Sequence, residues 1–334
     1  MRGWLARRWR KPGGQSMRQR ARRTVRDQDL VERRPGQRPA LRDVVRPLPR
    51  RRRHPMRQTP RLLPRRDGGF TLVEIMVGLV ISLLLLLAAS SMFIAQQRTN
   101  ATQGDISEIH ENARAISQLI QREARQAGYS DFIFANNAFP GDLSISATND
   151  DGVNLSDSLT LSYFGASQPG ADPFATPSTP AAAAPDGTVI DCTGKEVNAN
   201  VLTTEVFSVV QAPDGTPWLQ CAVNGVSTPL FPNVESMQLL MGEDTNGDKT
   251  VDRYVRPGVA NMSQVRALRI SFVLRGKSTT NVAPTAAAIN HFGPGYAGGD
   301  VAPAGDAGSI FNQPADGRLR KHYAFYVAIR NRLN

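Results

Sequence analysis

The sequence predicts an α+β protein in which a long N-terminal helix packs on a mostly antiparallel β-sheet domain, called the head below. Three observations predict this fold class. Residues 75–95 form an apolar run without a charged residue. The following stretch repeats apolar residues every three or four positions, and the remainder contains short runs of β-forming residues separated by turn signals.

The apolar run is long enough to cross a membrane, because a helix rises about 1.5 Å per residue and the hydrocarbon core is about 30 Å thick. Residues 83–87 are all leucine and cover every face of such a helix, whereas a buried helix of a soluble domain would normally be shorter and have a polar side. Basic residues precede the run, namely Arg57, Arg61, Arg65 and Arg66. This distribution predicts a single-pass inner-membrane protein with its C-terminal part in the periplasm.

The residues at the start of the run are Gly69-Phe70-Thr71-Leu72-Val73-Glu74. Following a basic leader and preceding a membrane-length helix, they resemble the processing signal of type IV prepilins. The resemblance implies that a prepilin peptidase cuts after Gly69 and methylates the new N-terminal Phe70. It also implies an assembly role for Glu74: its carboxylate, which costs about 2.5 to 3.5 kcal/mol in a bilayer, would pair with the free amine at Phe70 of a neighbouring subunit.

The leader, residues 1–69, carries most of the positive charge. It has 22 Arg and 1 Lys against 5 acids, a net charge of 23 − 5 = +18, so the rest of the chain carries 17 − 24 = −7 of the total of +11. The mature protein is therefore acidic, and direct nucleic-acid binding is not expected of it. The leader is interpreted either as a cytoplasmic basic arm or, preferably, as the product of an upstream start codon, with Met56 rather than Met1 or Met17 as the true start.

The helix is predicted to continue beyond the membrane. Residues 70–97 form the transmembrane and assembly helix, and residues 98–128 an amphipathic continuation ending at Gly128. Gly104 is a point at which this long helix could bend. One apolar face is expected to pack on the head; its members are Ile106, Ile109, Ala113, Ile116, Ile120, Ala124 and Ala127.

The head, residues 129–334, is predicted to be β-rich and exported. The predicted strands are residues 158–164, 205–211, 217–223, 234–241, 265–276 and 323–330, with a turn at 212–215. Two stretches rich in Ala, Pro and Gly, residues 165–187 and 281–308, are predicted to be long loop insertions.

The two cysteines, Cys192 and Cys221, both lie in the exported part of the chain. An oxidising compartment favours a disulfide between them, which would contribute roughly 3 to 4 kcal/mol. The alternative is a pair of unpaired buried thiols. Metal binding by this pair alone would lack further ligands.

An acidic stretch at residues 243–255 resembles a calcium-binding loop in part. Asp244, Asn246, Asp248, Thr250 and Asp252 occupy positions 1, 3, 5, 7 and 9 of such a loop, with Thr250 offering its carbonyl. Lys249 replaces the glycine of position 6 and Val255 the glutamate of position 12, which excludes a full EF-hand. Weak Ca²⁺ binding and a hairpin with a two-residue Asn246-Gly247 turn are both predicted for this stretch, and they are compatible.

No enzyme is predicted and no catalytic residue is assigned. The four histidines, His54, His110, His291 and His322, have no metal-ligand spacing, and no nucleophile elbow, phosphate-binding loop or dinucleotide motif occurs. Apart from Ca²⁺, no cofactor is expected.

Three stretches of the head resemble, in order, PilW-type minor pilins of type IV pilus assembly: residues 233–255, 265–276 and 323–333. The resemblance implies a type IV pilin-like fold and a subunit that joins other minor pilins and the major pilin at the inner-membrane assembly platform. It implies a priming or tip complex, at the cell surface, that supports twitching motility, adhesion or DNA uptake. One alternative is a J-type minor pseudopilin of type II secretion. Another is an exported ligand- or DNA-binding module using a basic patch of Arg266, Arg269 and Arg275.

Overall fold

The computed structural model describes residues 69–134, 137–139, 144–172, 174, 184–279, 287–297 and 301–332. The basic leader, except for Gly69, therefore lies outside the described residues, as do parts of both predicted insertions. Residues 69–334 form one compact unit.

Helix α1, Leu72–Gln126, is continuous over 55 residues. It begins at Thr71, whose hydroxyl accepts a hydrogen bond from the backbone N–H of Glu74 at 3.2 Å. Gly104 does not interrupt it. It ends before Gly128, whose φ of 77° is in the left-handed region that favours glycine. The transmembrane and amphipathic segments are thus one helix, about 80 Å long if straight.

The first sheet has five antiparallel strands in chain order. They are β1 (Ile145–Thr148), β2 (Ser158–Tyr163), β3 (Thr203–Gln211), β4 (Pro217–Val223) and β5 (Val226–Pro232). The predicted turn at 212–215 joins β3 to β4, and the backbone N–H of Gly215 donates to the carbonyl of Ala212 at 2.9 Å. Asn224 and Gly225, both with positive φ, make the two-residue connection between β4 and β5.

The second sheet has four antiparallel strands: β6 (Val234–Glu243), β7 (Arg253–Val255), β8 (Val265–Arg275) and β11 (Arg320–Ala328). Their order across the sheet is β11-β8-β6-β7. A separate antiparallel pair consists of β9 (Ala288–Asn290) and β10 (Ile310–Asn312), and a short helix α2 (Pro294–Ala297) follows β9.

The core lies between the outer half of α1 and both sheets. Ile116 and Ile120 of α1 are fully buried against residues such as Phe207 of the first sheet and Phe272 of the second. All ten residues of β6 are buried. The alternation of a strand explains this: Met237 faces the common core, while Gln238 on the opposite face donates to the carbonyl of Leu155.

The predicted fold class, a long helix packed on a mostly antiparallel β-sheet head, is confirmed; in the described residues the strands of the head are divided between two sheets and a separate strand pair. The prediction of a loop over 281–308 was incomplete, because β9 lies within it and is held by pairing with β10. The other insertion is also partly packed: Ser167 and Pro185 form an isolated β-bridge, and Ala166 is buried. Alanine- and glycine-rich strands carry little of the β-branched signal from which strands are predicted.

Candidate assembly site

The N-terminal half of α1 exposes apolar side chains along its whole length. Residues 70–100 are all exposed, with Phe70 at 80% and Leu87 at 69%. Within the described part of the chain, α1 is the helix that is long and apolar enough to cross a membrane, and none of its most apolar window is buried. The segment 70–97 is called the apolar segment below. A surface this large and apolar requires a bilayer or other helices around it.

Glu74 is the single charged residue of the apolar segment. Its backbone N–H is bound to Thr71, so the helix start fixes its position on the first turn. Among the residues that the structure describes, no side chain forms a hydrogen bond or ion pair with its carboxylate. Its charge is therefore available to a group outside this chain.

The outer half of α1 is fixed to the head through Asp105, which is 7% exposed. Its carboxylate accepts the backbone N–H groups of Lys277 and Ser278, each at 3.1 Å. Gly276 allows this approach, since a Cβ there would lie 2.5 Å from Asp105 Oδ2. Lys277 Nζ also forms a 2.7 Å ion pair with Glu108. The helix and the segment after β8 are thus joined by backbone and side-chain contacts.

At the other end of α1, two buried glutamates lie on either side of Tyr163. The Tyr163 hydroxyl donates to Glu205 Oε1 at 2.7 Å and lies 3.5 Å from Glu123 Oε2. Burial raises the pKa of Glu123 to about 6, although the neighbouring Arg122 guanidinium opposes the rise. Burial, together with the charge of Glu123, raises the pKa of Glu205 to about 8.

The predicted disulfide is confirmed: Cys192 and Cys221 are bonded, and both are buried. The bond links the segment before β3 to β4, with a Cα–Cα distance of 6.6 Å. Glu205 lies beside it, and its Oε1 accepts the backbone N–H of Cys192 at 2.5 Å. Sequence reasoning did not find Glu205. The only indication in the sequence was an acidic residue within a predicted strand, at a position where the alternation of the strand places its side chain inside the head.

The acidic stretch forms a nine-residue loop, 244–252, between β6 and β7. The predicted two-residue Asn246-Gly247 turn was wrong, because strand pairing stops at Glu243 and Arg253. The side chains of the loop instead bind its own backbone: Asp244 accepts the N–H groups of Gly247 at 2.6 Å and Lys249 at 3.1 Å.

The remaining acids of this loop are bound in the same way. Asp248 Oδ1 accepts the N–H and the hydroxyl of Thr250, and Asp252 Oδ2 accepts those of Thr245. These bonds lower the pKa of Asp248 and of Asp252. The Asn246 side-chain amide donates to Asp248 Oδ2 at 3.1 Å and to Asp252 Oδ1 at 3.3 Å, so three of the five predicted calcium ligands lie close together. Calcium binding at the loop stays a prediction.

The three arginines considered as a basic patch for DNA binding contact other residues of the head. Arg266 pairs with Asp244, Arg275 with Glu235, and Arg269 lies over the rings of Phe292 and Tyr326 at 5.2 and 5.4 Å. Each guanidinium therefore has a partner within the head.

The histidines of the described residues are satisfied structural groups. His291 is buried between the hydroxyls of Ser236 at 3.1 Å and Ser271 at 2.8 Å, and burial lowers its pKa to about 3. His322 also binds Ser271, at 2.8 Å, and His110 binds the Tyr323 hydroxyl at 2.9 Å. His54 lies in the leader, outside the described residues.

Two family models match the chain. The family described as Type IV Pilus-assembly protein W matches residues 206–331, and the prokaryotic N-terminal methylation motif matches residues 64–90. The second range contains Gly69, Phe70 and Glu74.

Among solved structures, a type IV-like pilin from Thermus thermophilus is similar to this chain. The two share 17% sequence identity over 67% of this chain and 97% of that chain, with a TM-score of 0.36. No curated protein gives a significant match. The N-terminal methylation motif, the exposed apolar helix and the PilW region follow one another in a single chain. The chain is therefore similar to the PilW family over residues 206–331 and carries an N-terminal methylation motif at residues 64–90.

Proposed function

We propose that this protein is a minor pilin that primes type IV pilus assembly with other minor pilins, or lies with them at the pilus tip. The observation that carries the proposal is the exposed apolar segment with its single acid, Glu74, joined through Asp105 to a packed head. Such a segment can leave the bilayer and pack against the helices of other subunits. The role then supports motility, adhesion or DNA uptake.

The proposed topology follows from the same segment. The prepilin peptidase removes the leader at Gly69, the apolar segment anchors the protein in the inner membrane, and the head lies in the periplasm. An oxidising periplasm agrees with the disulfide between Cys192 and Cys221. Assembly then proceeds from the membrane at the pilus assembly platform, with the major pilin added beneath the minor pilins.

The proposed role of Glu74 rests on its charge. In a bilayer an unpaired carboxylate is costly, and a neighbouring subunit's amine at Phe70 would remove that cost. Docking would therefore be favoured over remaining alone in the membrane. No residue of the described chain competes for the Glu74 carboxylate.

The test is piliation in cells that carry Glu74→Gln, which keeps the size of the side chain and removes its charge. We expect normal amounts of protein in the inner membrane and few surface pili. The matched control is Glu111→Gln, on the exposed part of α1 that follows the apolar segment. Normal piliation with Glu74→Gln would contradict the pairing argument.

A J-type minor pseudopilin of type II secretion is the alternative within the same architecture. It is distinguished by phenotype: deletion of the gene would abolish secretion of folded proteins and leave surface pili intact. Deletion of a pilus-priming subunit would instead reduce the number of pili.

A further inference from the structure

The disulfide and Glu205 form a compact set of metal-binding groups. The Sγ atoms of Cys192 and Cys221 and a carboxylate oxygen of Glu205 all lie within 4.8 Å of one another. In the part of the chain that the structure describes, this is the one such group of three or more. All three residues are buried, Glu205 and Cys221 completely.

The two oxygens of Glu205 differ in their surroundings. Oε1 accepts hydrogen bonds from the Tyr163 hydroxyl at 2.7 Å and from the backbone N–H of Cys192 at 2.5 Å. Oε2 is buried and has no hydrogen-bond partner among the described residues. A buried carboxylate oxygen without a donor is costly, so a ligand that supplies positive charge at this point would be stabilising.

We propose that, when the disulfide is reduced, Cys192, Cys221 and Glu205 bind one thiophilic divalent cation such as Zn²⁺. Two thiolates and a carboxylate are ligands that zinc prefers, and a water completes a tetrahedral set. The cation takes one carboxylate oxygen of Glu205 as its third ligand. It also joins the same two segments that the disulfide joins in the oxidised protein.

The strands hold two of these ligands in place. Cys221 of β4 is paired with Phe207 of β3, and Glu205 precedes Phe207 by two residues, so Glu205 and Cys221 project from the same face of the sheet. Cys192 lies on a turn held by the bridge between Ile190 and Glu196.

The backbone spacing suits a shared ion. The Cα atoms of the two cysteines are 6.6 Å apart. Thiolates bound to one zinc at about 2.3 Å are roughly 3.8 Å from each other, a separation that rotation of the two side chains can supply. The exposed residues Gly194 and Lys195 follow Cys192 in the same turn.

Disulfide reduction and metal binding are two separate steps. A phosphine reductant cleaves the S–S bond and becomes a phosphine oxide, while one water supplies its oxygen and the two thiol protons. The cation then displaces both thiol protons and the proton that the Glu205 carboxyl group holds below its raised pKa of about 8, so that Glu205 binds as a carboxylate. Metal binding therefore releases protons to the solution.

The experiment uses the detergent-solubilised full chain and Co²⁺, whose thiolate charge-transfer and tetrahedral d–d absorption report the ligands. After reduction and removal of the phosphine without oxygen, we expect one Co²⁺ per chain with two thiolate ligands, displaced by Zn²⁺. The oxidised protein should bind none. Glu205→Gln should weaken binding at least tenfold, whereas Glu196→Gln, an exposed acid beside the same turn, should leave it unchanged.

A loss of fold is monitored separately. The oxidised Glu205→Gln protein should keep the circular dichroism of the wild type, and Tyr163→Phe, which leaves all three ligands in place, should retain the Co²⁺ spectrum. Absence of thiolate bands in the reduced wild type would overturn the proposal. Equal Co²⁺ affinity in the reduced Glu205→Gln protein would overturn it as well, because the cysteines would then bind the metal without Glu205. Both results would leave the proposed pilus function untouched.

Discussion

Asp105 provides the sharpest stability prediction, because it joins α1 to the segment after β8 through backbone bonds. Asp105→Ala removes the acceptor of two backbone N–H groups, those of Lys277 and Ser278. A hydrogen bond to a charged acceptor contributes about 1.5 to 3 kcal/mol to stability. Water that enters the space left by the Asp105 side chain can bind the freed N–H groups and offset part of this loss. We expect the free energy of unfolding to fall by about 2 to 4 kcal/mol.

The assay is urea unfolding of the detergent-solubilised protein, followed by fluorescence. Glu108→Ala is the matched control, since Glu108 contacts the same segment but forms a partly exposed ion pair with Lys277. Such pairs contribute at most about 1 kcal/mol. Equal losses in the two variants, or a loss below about 1 kcal/mol for Asp105→Ala, would refute the account of Asp105 as the link between helix and head.

Two further predictions concern ionisation and ions. Burial raises the pKa of Asp157 from 3.8 to about 8, so the folded protein retains a proton that the unfolded chain loses. The free energy of unfolding should therefore fall as pH rises from about 4 to about 8. Asp157→Asn should reduce this pH dependence, and an unchanged slope would contradict the raised pKa of Asp157. Three predicted calcium ligands of loop 244–252 lie close together around Asn246, so we expect excess calcium to raise the melting midpoint above its value in chelator, and Asp248→Ala to abolish the rise. A wild-type midpoint that is the same with calcium and with chelator would contradict the predicted site.

The helix could be predicted from the sequence because its signal is local. Apolar residues three and four positions apart, such as Ile109, Ala113, Ile116 and Ile120, are buried on one face of α1 as expected. The six predicted strands correspond to β2, β3, β4, β6, β8 and β11, with ends that differ by up to three residues. The motif around Gly69 and the pairing of the two cysteines could also be predicted from the sequence.

The arrangement of the strands could not be predicted from the sequence, because it depends on pairings between residues that are far apart in the chain. Strand β5 contains Pro229 and Pro232 and is tolerated at a sheet edge, where a proline need not donate to a neighbour. The short strand β9 has no alternation of its own and is held by β10. Local spacing around Glu205 could not reveal its approach to Cys192, which lies thirteen residues earlier and folds back beside it.

The spacing of the acids alone did not predict the conformation of the acidic loop. The positions of Asp244, Asp248 and Asp252 match a calcium loop, but short acidic side chains also bind nearby backbone N–H groups. Without the loop glycine at position 6 and the glutamate at position 12, the local bonds determine the conformation.

The central claim is that the chain is processed at Gly69 and assembled through the apolar segment that begins at Phe70. Mass spectrometry of the N-terminal peptide of the protein from cell membranes and sheared pili tests it most directly. The account predicts an N-methylated phenylalanine at residue 70, with residues 1–69 absent. A mature protein that retains the leader, or that begins after the apolar segment, would contradict it.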